Sequence, residues 1–193
     1  FILKFSNKPL GKILLDKDFV KPQSFHSTPI PRSAGLSIIT LFLIFILFYY
    51  FLFNLFLFDY LTMALSLFTL GFLDDLKIKI NPYLRLLFMA IILIFCINFF
   101  SIKIQQLDIS FLNLWLENII FQNFFVLLCL LFIINGSNLI DGFNGLMGIH
   151  FLIINLVFLL ISKDLFFSVI LLSQIIIVFT FLLFNFPKAK IFL

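Results

Sequence analysis

The sequence predicts an all-α fold, a polytopic membrane helix bundle with about six transmembrane helices, and three observations predict it. Of the 193 residues 63% are hydrophobic and only 11% charged, and the mean hydropathy of +1.24 lies far outside the soluble globular range. Apolar runs long enough to cross a bilayer recur along the chain. The Lys and Arg residues fall almost wholly to one side of those runs. The abundance of Phe, 32 residues, accompanies abundant Ile, Lys and Asn; all four have A/T-rich codons, so no aromatic function is read from it. No secretory pattern of basic start, apolar middle and small-residue cleavage site is legible.

A hydrocarbon core of about 30 Å needs roughly 20 helical residues to cross it. Residues 36–73 hold a single charge, Asp59, and are about twice too long for one crossing at 1.5 Å per residue. They therefore fold back near 54–59 into two spans. A third begins at Pro82, a residue suited to the first helical turn, and runs to about residue 100. The polar stretch "SIKIQQLDISFLNLWLEN" follows, in which Trp115 between Leu114 and Leu116 reads as an interfacial anchor. Three more spans are expected at 119–137, 145–162 and 165–186. Cys96 and Cys129 sit inside apolar runs with no CxxC or Cys/His spacing, which makes them small hydrophobes and not ligands. The chain is read as one integral membrane domain over 1–193.

Short loops rich in Lys and Arg stay cytoplasmic. Eleven basic residues (Lys4, Lys8, Lys12, Lys17, Lys21, Arg32, Lys77, Lys79, Arg85, Lys188 and Lys190) fall on one side, against Lys103 and Lys163 on the other. Segments of about 1–35, 74–82, 138–144 and 187–193 are then cytoplasmic, and 54–59, 101–118 and 162–164 face out. The expected location is the inner (plasma) membrane.

The polar clusters all fall on the cytoplasmic side. In "HSTPIPRSAG" two prolines fix the backbone around Arg32, whose planar fork suits phosphate or carboxylate; a stiff leading loop with a positive-inside arginine is the plainer alternative. In "GFLDDLKIKINPYLR", Asp74 and Asp75 stand at the negative end of a helix, where carboxylates are misplaced. Either Lys77, Lys79 and Arg85 pair with them, or a divalent cation with oxygen ligands does. The third cluster is "INGSNLIDGFNGLMGIH". Asn138 and Asp141 are three apart and can share a helical face, and Gly136, Gly142 and Gly145 let the backbone turn tightly or approach a ligand. A shared cation explains the whole set; an Asx turn explains one Asn and one Gly of it. His150 reads as a packed polar residue, and His26 has no visible partner.

In order and spacing, "PIPRSAG", "GFLDD" followed by "NPYLRLL", and "NGSNLIDGFNGL" resemble the polyprenyl-phosphate N-acetylhexosamine-1-phosphate transferase family, glycosyltransferase family 4. The resemblance covers nearly the whole chain. It implies a magnesium-dependent transfer of a sugar 1-phosphate from a UDP-N-acetylhexosamine to a polyprenyl phosphate such as undecaprenyl phosphate, releasing UMP, for cell-envelope polysaccharide synthesis. It further implies that Asp74 and Asp75 orient or deprotonate the lipid phosphate, that Asn138 helps hold Mg²⁺, that Asp141 is a neighbouring active-site acid and that Asn144 contacts uracil. At Asn144 many bacterial relatives carry Asp, but Asn still offers donor and acceptor groups to a base edge. Arg32 matches the basic position of the leading motif and takes a substrate-facing role. "PIPR" and "SNLIDGFNG" stand nearer the GlcNAc branch than the MurNAc-pentapeptide branch. The expected partners are these two substrates, membrane lipid and a second copy of the chain, with no nucleic acid.

Two further expectations concern the ends. The chain opens on Phe1 and "FILKFS" resembles the tail of a span, and the resemblance places a Gly-Asp, whose acid is a principal magnesium ligand, just beyond Leu193. The 193 residues alone are therefore expected to be a fragment, or a degenerate product, without activity. The runner-up from another class is a six-span transporter or channel, but such proteins place ionisable groups near the bilayer midplane, whereas these spans are almost free of charge.

Overall fold

The computed structural model describes residues 15–16, 30–75, 81–140 and 143–192. Within them lie a two-residue antiparallel pair, β1 (Leu15–Asp16) and β2 (Ile30–Pro31), and seven helices. The helices are α1 (Ala34–Phe53), α2 (Phe58–Asp75), α3 (Pro82–Phe99), α4 (Ser110–Leu116), α5 (Ile119–Ile140), α6 (Leu146–Ile161) and α7 (Leu165–Asn185). A lipid environment leaves an apolar chain little else, because a helix satisfies its backbone groups internally.

Local signals set the helix ends. Asn54, in the left-handed region at φ 52°, ends α1 and gives its N–H to the Tyr50 carbonyl at 2.8 Å, so the helix breaks within the 54–59 stretch expected from the sequence. Pro82 opens α3 behind Asn81, whose side chain accepts the Tyr83 N–H at 3.1 Å. Asn118 accepts from the Ile120 N–H at 2.9 Å, and Asp164 accepts from Phe166 N–H at 3.0 Å to start α7.

The expected six spans need correcting to about four. By length and composition α1, α3, α5 and α7 suffice to cross a membrane, while Phe58–Leu73 and Leu146–Ile161 are shorter apolar helices. Sixteen residues reach about 24 Å, short of a core of about 30 Å. An apolar run of this length makes a helix but not a full crossing.

The chain divides into two compact units. The first comprises Phe1–Phe56, Asp75–Lys77 and Leu139–Leu193; the second comprises Leu57–Asp74 and Ile78–Asn138. In the first, α6 and α1 both pack on α7. Gly148 permits the close approach of α6: a Cβ there would lie 2.7 Å from Cδ2 of Leu182. At one end of α7, Phe166 meets Phe53 edge-on at 5.0 Å. Toward the other end, Phe181 is buried with Ala34 and Ile191, and Ile38 and Leu182 pack against them. In the second unit, the Asn123 side chain donates to Asn98 Oδ1 at 3.0 Å, joining α5 to α3, and Phe58 meets Phe100 at 6.2 Å. Asn113 clamps the loop ahead of α4, accepting from the Leu107 N–H and donating to its carbonyl, both at 2.8 Å.

Cys96 is buried and Cys129 half-buried, both free thiols, as read from the sequence. His150 is exposed on α6, so its reading as a packed side chain is corrected: the face of α6 that meets α7 is occupied by its small residue Gly148 and not by His150.

Candidate functional site

In the first unit the loop after α7 organises the polar residues. Asn185, the last residue of α7, is 5% exposed, and its side chain is used at both ends. Its Oδ1 accepts the Gly145 N–H at 2.5 Å and its Nδ2 donates to the Ile191 carbonyl at 2.9 Å. Gly145 precedes α6 with φ +77°, and a Cβ there would lie 2.9 Å from both Cβ and Cδ2 of Phe186. Only glycine meets both conditions without strain. Asn144 is half-buried beside it and donates to the Pro187 carbonyl at 3.3 Å.

The same loop returns to the start of α1. Phe192 bridges to Arg32 as a single parallel β-bridge. The Phe192 N–H donates to the Pro31 carbonyl at 2.9 Å and its carbonyl accepts the Ala34 N–H at 3.0 Å. One orphan donor of the α1 N-terminus is thus satisfied by backbone from the far end of the chain, while the buried Ser33 hydroxyl caps nothing. Pro31 makes sense here, since its fixed φ and the restriction it places on Ile30 hold Ile30 to Arg32 extended to receive this segment.

The structure therefore brings Arg32 and Asn144 onto one loop, residues 186–192, through backbone and side-chain bonds. Lys188 and Lys190 of that loop are exposed and Arg32 is half-buried. Three cations on one short assembly favour an anionic ligand. Asn185, Phe192 and Gly145 were not singled out as a linked set by sequence reading, because partners 40 residues apart leave no local pattern.

The "INGSNLIDGFNGLMGIH" cluster differs from its sequence reading. The span expected to end at 137 continues as helix to Ile140, so Asn138 stands on the last turn of α5 and not in a loop. Asn135 and Ser137 donate back to the Leu131 and Ile133 carbonyls at 2.8 and 2.6 Å, which lets polar residues remain helical in an apolar setting. Asn138 is exposed, and among the described residues none hydrogen-bonds its amide. Asp141 lies outside the described residues. Asp74 and Asp75 close α2, as expected of acids at a helix end, and their side chains lie outside the described residues, as do Lys77, Lys79 and His26. Asn138 and Asp74 belong to the second unit, and Arg32, Asp75 and Asn144 to the first.

A family model described as Glycosyl transferase family 4 matches residues 57–193. The match takes in Asp74, Asp75, Asn138, Asp141, Asn144 and the loop after α7, and begins after Arg32. No curated protein and no solved structure matches the chain.

Proposed function

The chain belongs to glycosyl transferase family 4, and from that premise we propose that it moves an N-acetylhexosamine 1-phosphate, with N-acetylglucosamine 1-phosphate the first choice, from a UDP-sugar to a polyprenyl phosphate, releasing UMP at the cytoplasmic face of the plasma membrane. In kind it is a polyprenyl-phosphate sugar-1-phosphate transferase, carried by a multi-pass membrane protein. The family match over 57–193 carries the reading, because it spans five of the six residues assigned roles here.

The reaction joins two anions, so its main demand is charge neutralisation and alignment. A phosphomonoester has its second pKa near 6; the acceptor lipid is largely ionised already, and Asp74 and Asp75 have more orienting than deprotonating to do. Oxygen donors suit a hard divalent cation, and each residue the resemblance assigns carries one: Asn138 has an exposed amide with no hydrogen bond among the described residues, and Asp74, Asp75 and Asp141 are carboxylic acids. Mg²⁺ bound through such oxygens would neutralise diphosphate charge. Arg32, Lys188 and Lys190 supply further positive charge from the 30–34 and 186–192 segments. Asn144 presents a donor and an acceptor to a uracil edge. The lipid tail stays in the bilayer while its phosphate reaches the span ends, which accounts for polar residues gathered at helix termini.

The test reconstitutes the whole gene product that carries these residues in vesicles holding undecaprenyl phosphate and supplies UDP-N-acetylglucosamine with Mg²⁺. Lipid-linked sugar phosphate and UMP are expected in equal amounts, and UDP-MurNAc-pentapeptide should not substitute. Donor turnover that ignores the polyprenyl phosphate would overturn the proposal.

A further inference from the structure

The segment between α3 and α5 carries an apolar surface that the transfer reaction does not use. Helix α4 exposes Phe111, Leu114 and Trp115 at 58%, 69% and 56%. Their spacing of three and four puts them on one face, while Leu116 is buried at 6%. In the sequence flanking this face, Lys103, Asp108 and Glu117 are exposed. The segment is therefore amphipathic in a particular way, with bulky apolar groups and charges both turned outward.

The rings continue into a span. Trp115 meets Phe111 edge-on at 6.1 Å and Phe121 at 5.4 Å, and Phe121 stacks on Phe125 at 6.0 Å. Phe121 and Phe125 belong to α5, which is long and apolar enough to cross a membrane and has only 6% of its span window buried within the protein. Between α4 and the first turns of α5 runs an open groove of about 540 Å³ lined by Leu114, Trp115, Asn118, Ile120, Phe121 and Phe124. The exposed apolar band is thus one surface with the lipid-facing side of α5.

We propose that α4 lies in the boundary between headgroups and acyl chains, with Phe111, Leu114 and Trp115 inserted among lipids and the groove beside them filled by an acyl chain. Continuity with α5 selects bilayer lipid as the occupant: a span that must meet lipid begins at Ile119, three residues after α4 ends at Leu116, and the flanking charges stay in the headgroup layer. The inference stands apart from the transfer reaction and holds whichever sugar is moved.

Trp115 is the single Trp of the 193 residues, so the wild-type protein reports its own depth. In phosphatidylcholine vesicles its emission should be blue-shifted relative to the denatured chain. Lipids brominated near the headgroup should quench it more strongly than lipids brominated near the chain end, and aqueous acrylamide should quench it weakly. Moving the reporter along the same face, Leu114→Trp with Trp115→Phe, should give the same shallow profile. Dominant quenching by acrylamide would overturn the proposal, as would protection from lipid and aqueous quenchers alike, which would mean that a second copy or another protein covers this face.

Discussion

The Asn185 side chain accepts the backbone N–H of Gly145 while donating to the carbonyl of Ile191. One buried amide thereby ties the turn that opens α6, which carries Asn144, to the loop that follows α7, which carries Lys188 and Lys190. Asn185→Ala should strand a buried N–H and a buried carbonyl at once. Each unsatisfied group costs about 1–3 kcal/mol, so the latch should open locally before the helices separate. Hydrogen exchange at the Gly145 and Phe192 amides measures it, the latter bonded to the Pro31 carbonyl, with an expected acceleration of about 30-fold or more at Gly145. Unchanged exchange would mean that the loop is held by its other bonds.

Gly145→Ala meets two separate obstacles. A left-handed backbone disfavours alanine by about 1 kcal/mol, and the added Cβ collides with Phe186. In combination with Phe186→Ala the clashes with Cδ2 and Cγ are relieved, while the 2.9 Å approach to the Cβ of residue 186 and the backbone strain remain. Thermal unfolding in detergent should therefore show the double variant more stable than the sum of the single changes predicts, yet still below Phe186→Ala alone. Simple additivity would remove the contact from the account.

Gly148→Ala is a purely steric counterpart, since its backbone is ordinary helix. The new methyl would fall 2.7 Å from Cδ2 and 3.0 Å from Cγ of Leu182, which forces that side chain into another rotamer or α6 away from α7. Overpacking of this kind costs about 1–3 kcal/mol. Adding Leu182→Ala should recover part of the loss in the same unfolding measurement, and a loss left undiminished would place the strain elsewhere.

What the sequence could show depended on range. The start at Pro82 and the break near 54–59 were readable because a proline and a polar interruption act on their own stretch of chain. The extension of α5 through Asn138 was hidden, because Asn135 and Ser137 carry breaker chemistry and stay helical only by bonding back to Leu131 and Ile133. The reach of α2 and α6 was not legible because an apolar run also counts flanking residues that do not extend the apolar helix: Phe58–Leu73 and Leu146–Ile161 are its limits. At the site, Arg32 and Asn144 were singled out by residue type. Their attachment to one loop rests on Phe192 pairing with Pro31 and Ala34, across most of the chain, and no local pattern encodes it.

Asn144 is bonded only weakly to its surroundings, by a 3.3 Å contact at an exposed atom. Asn144→Ala should leave stability within about 0.5 kcal/mol. If the amide reads uracil, the KM for the UDP-sugar should rise about tenfold, one hydrogen bond's worth, with a smaller change in kcat. A fall in kcat at unchanged KM would assign it to the reacting phosphates and not to the base.

Asn138 gives the sharpest test of the metal reading, because its neighbours separate structure from chemistry. Asn135 and Ser137 spend their side chains on helix carbonyls, whereas the Asn138 amide has no hydrogen bond among the described residues, so Asn138→Ala should not disturb α5. Its effect should fall on the magnesium titration: the concentration giving half-maximal transfer should rise about tenfold or more, with activity partly restored at high Mg²⁺. Asn138→Asp keeps an oxygen ligand and should shift the titration less than alanine does. Equal loss in both variants at every Mg²⁺ concentration would mean that Asn138 holds substrate or backbone and that the metal rests on the carboxylates alone.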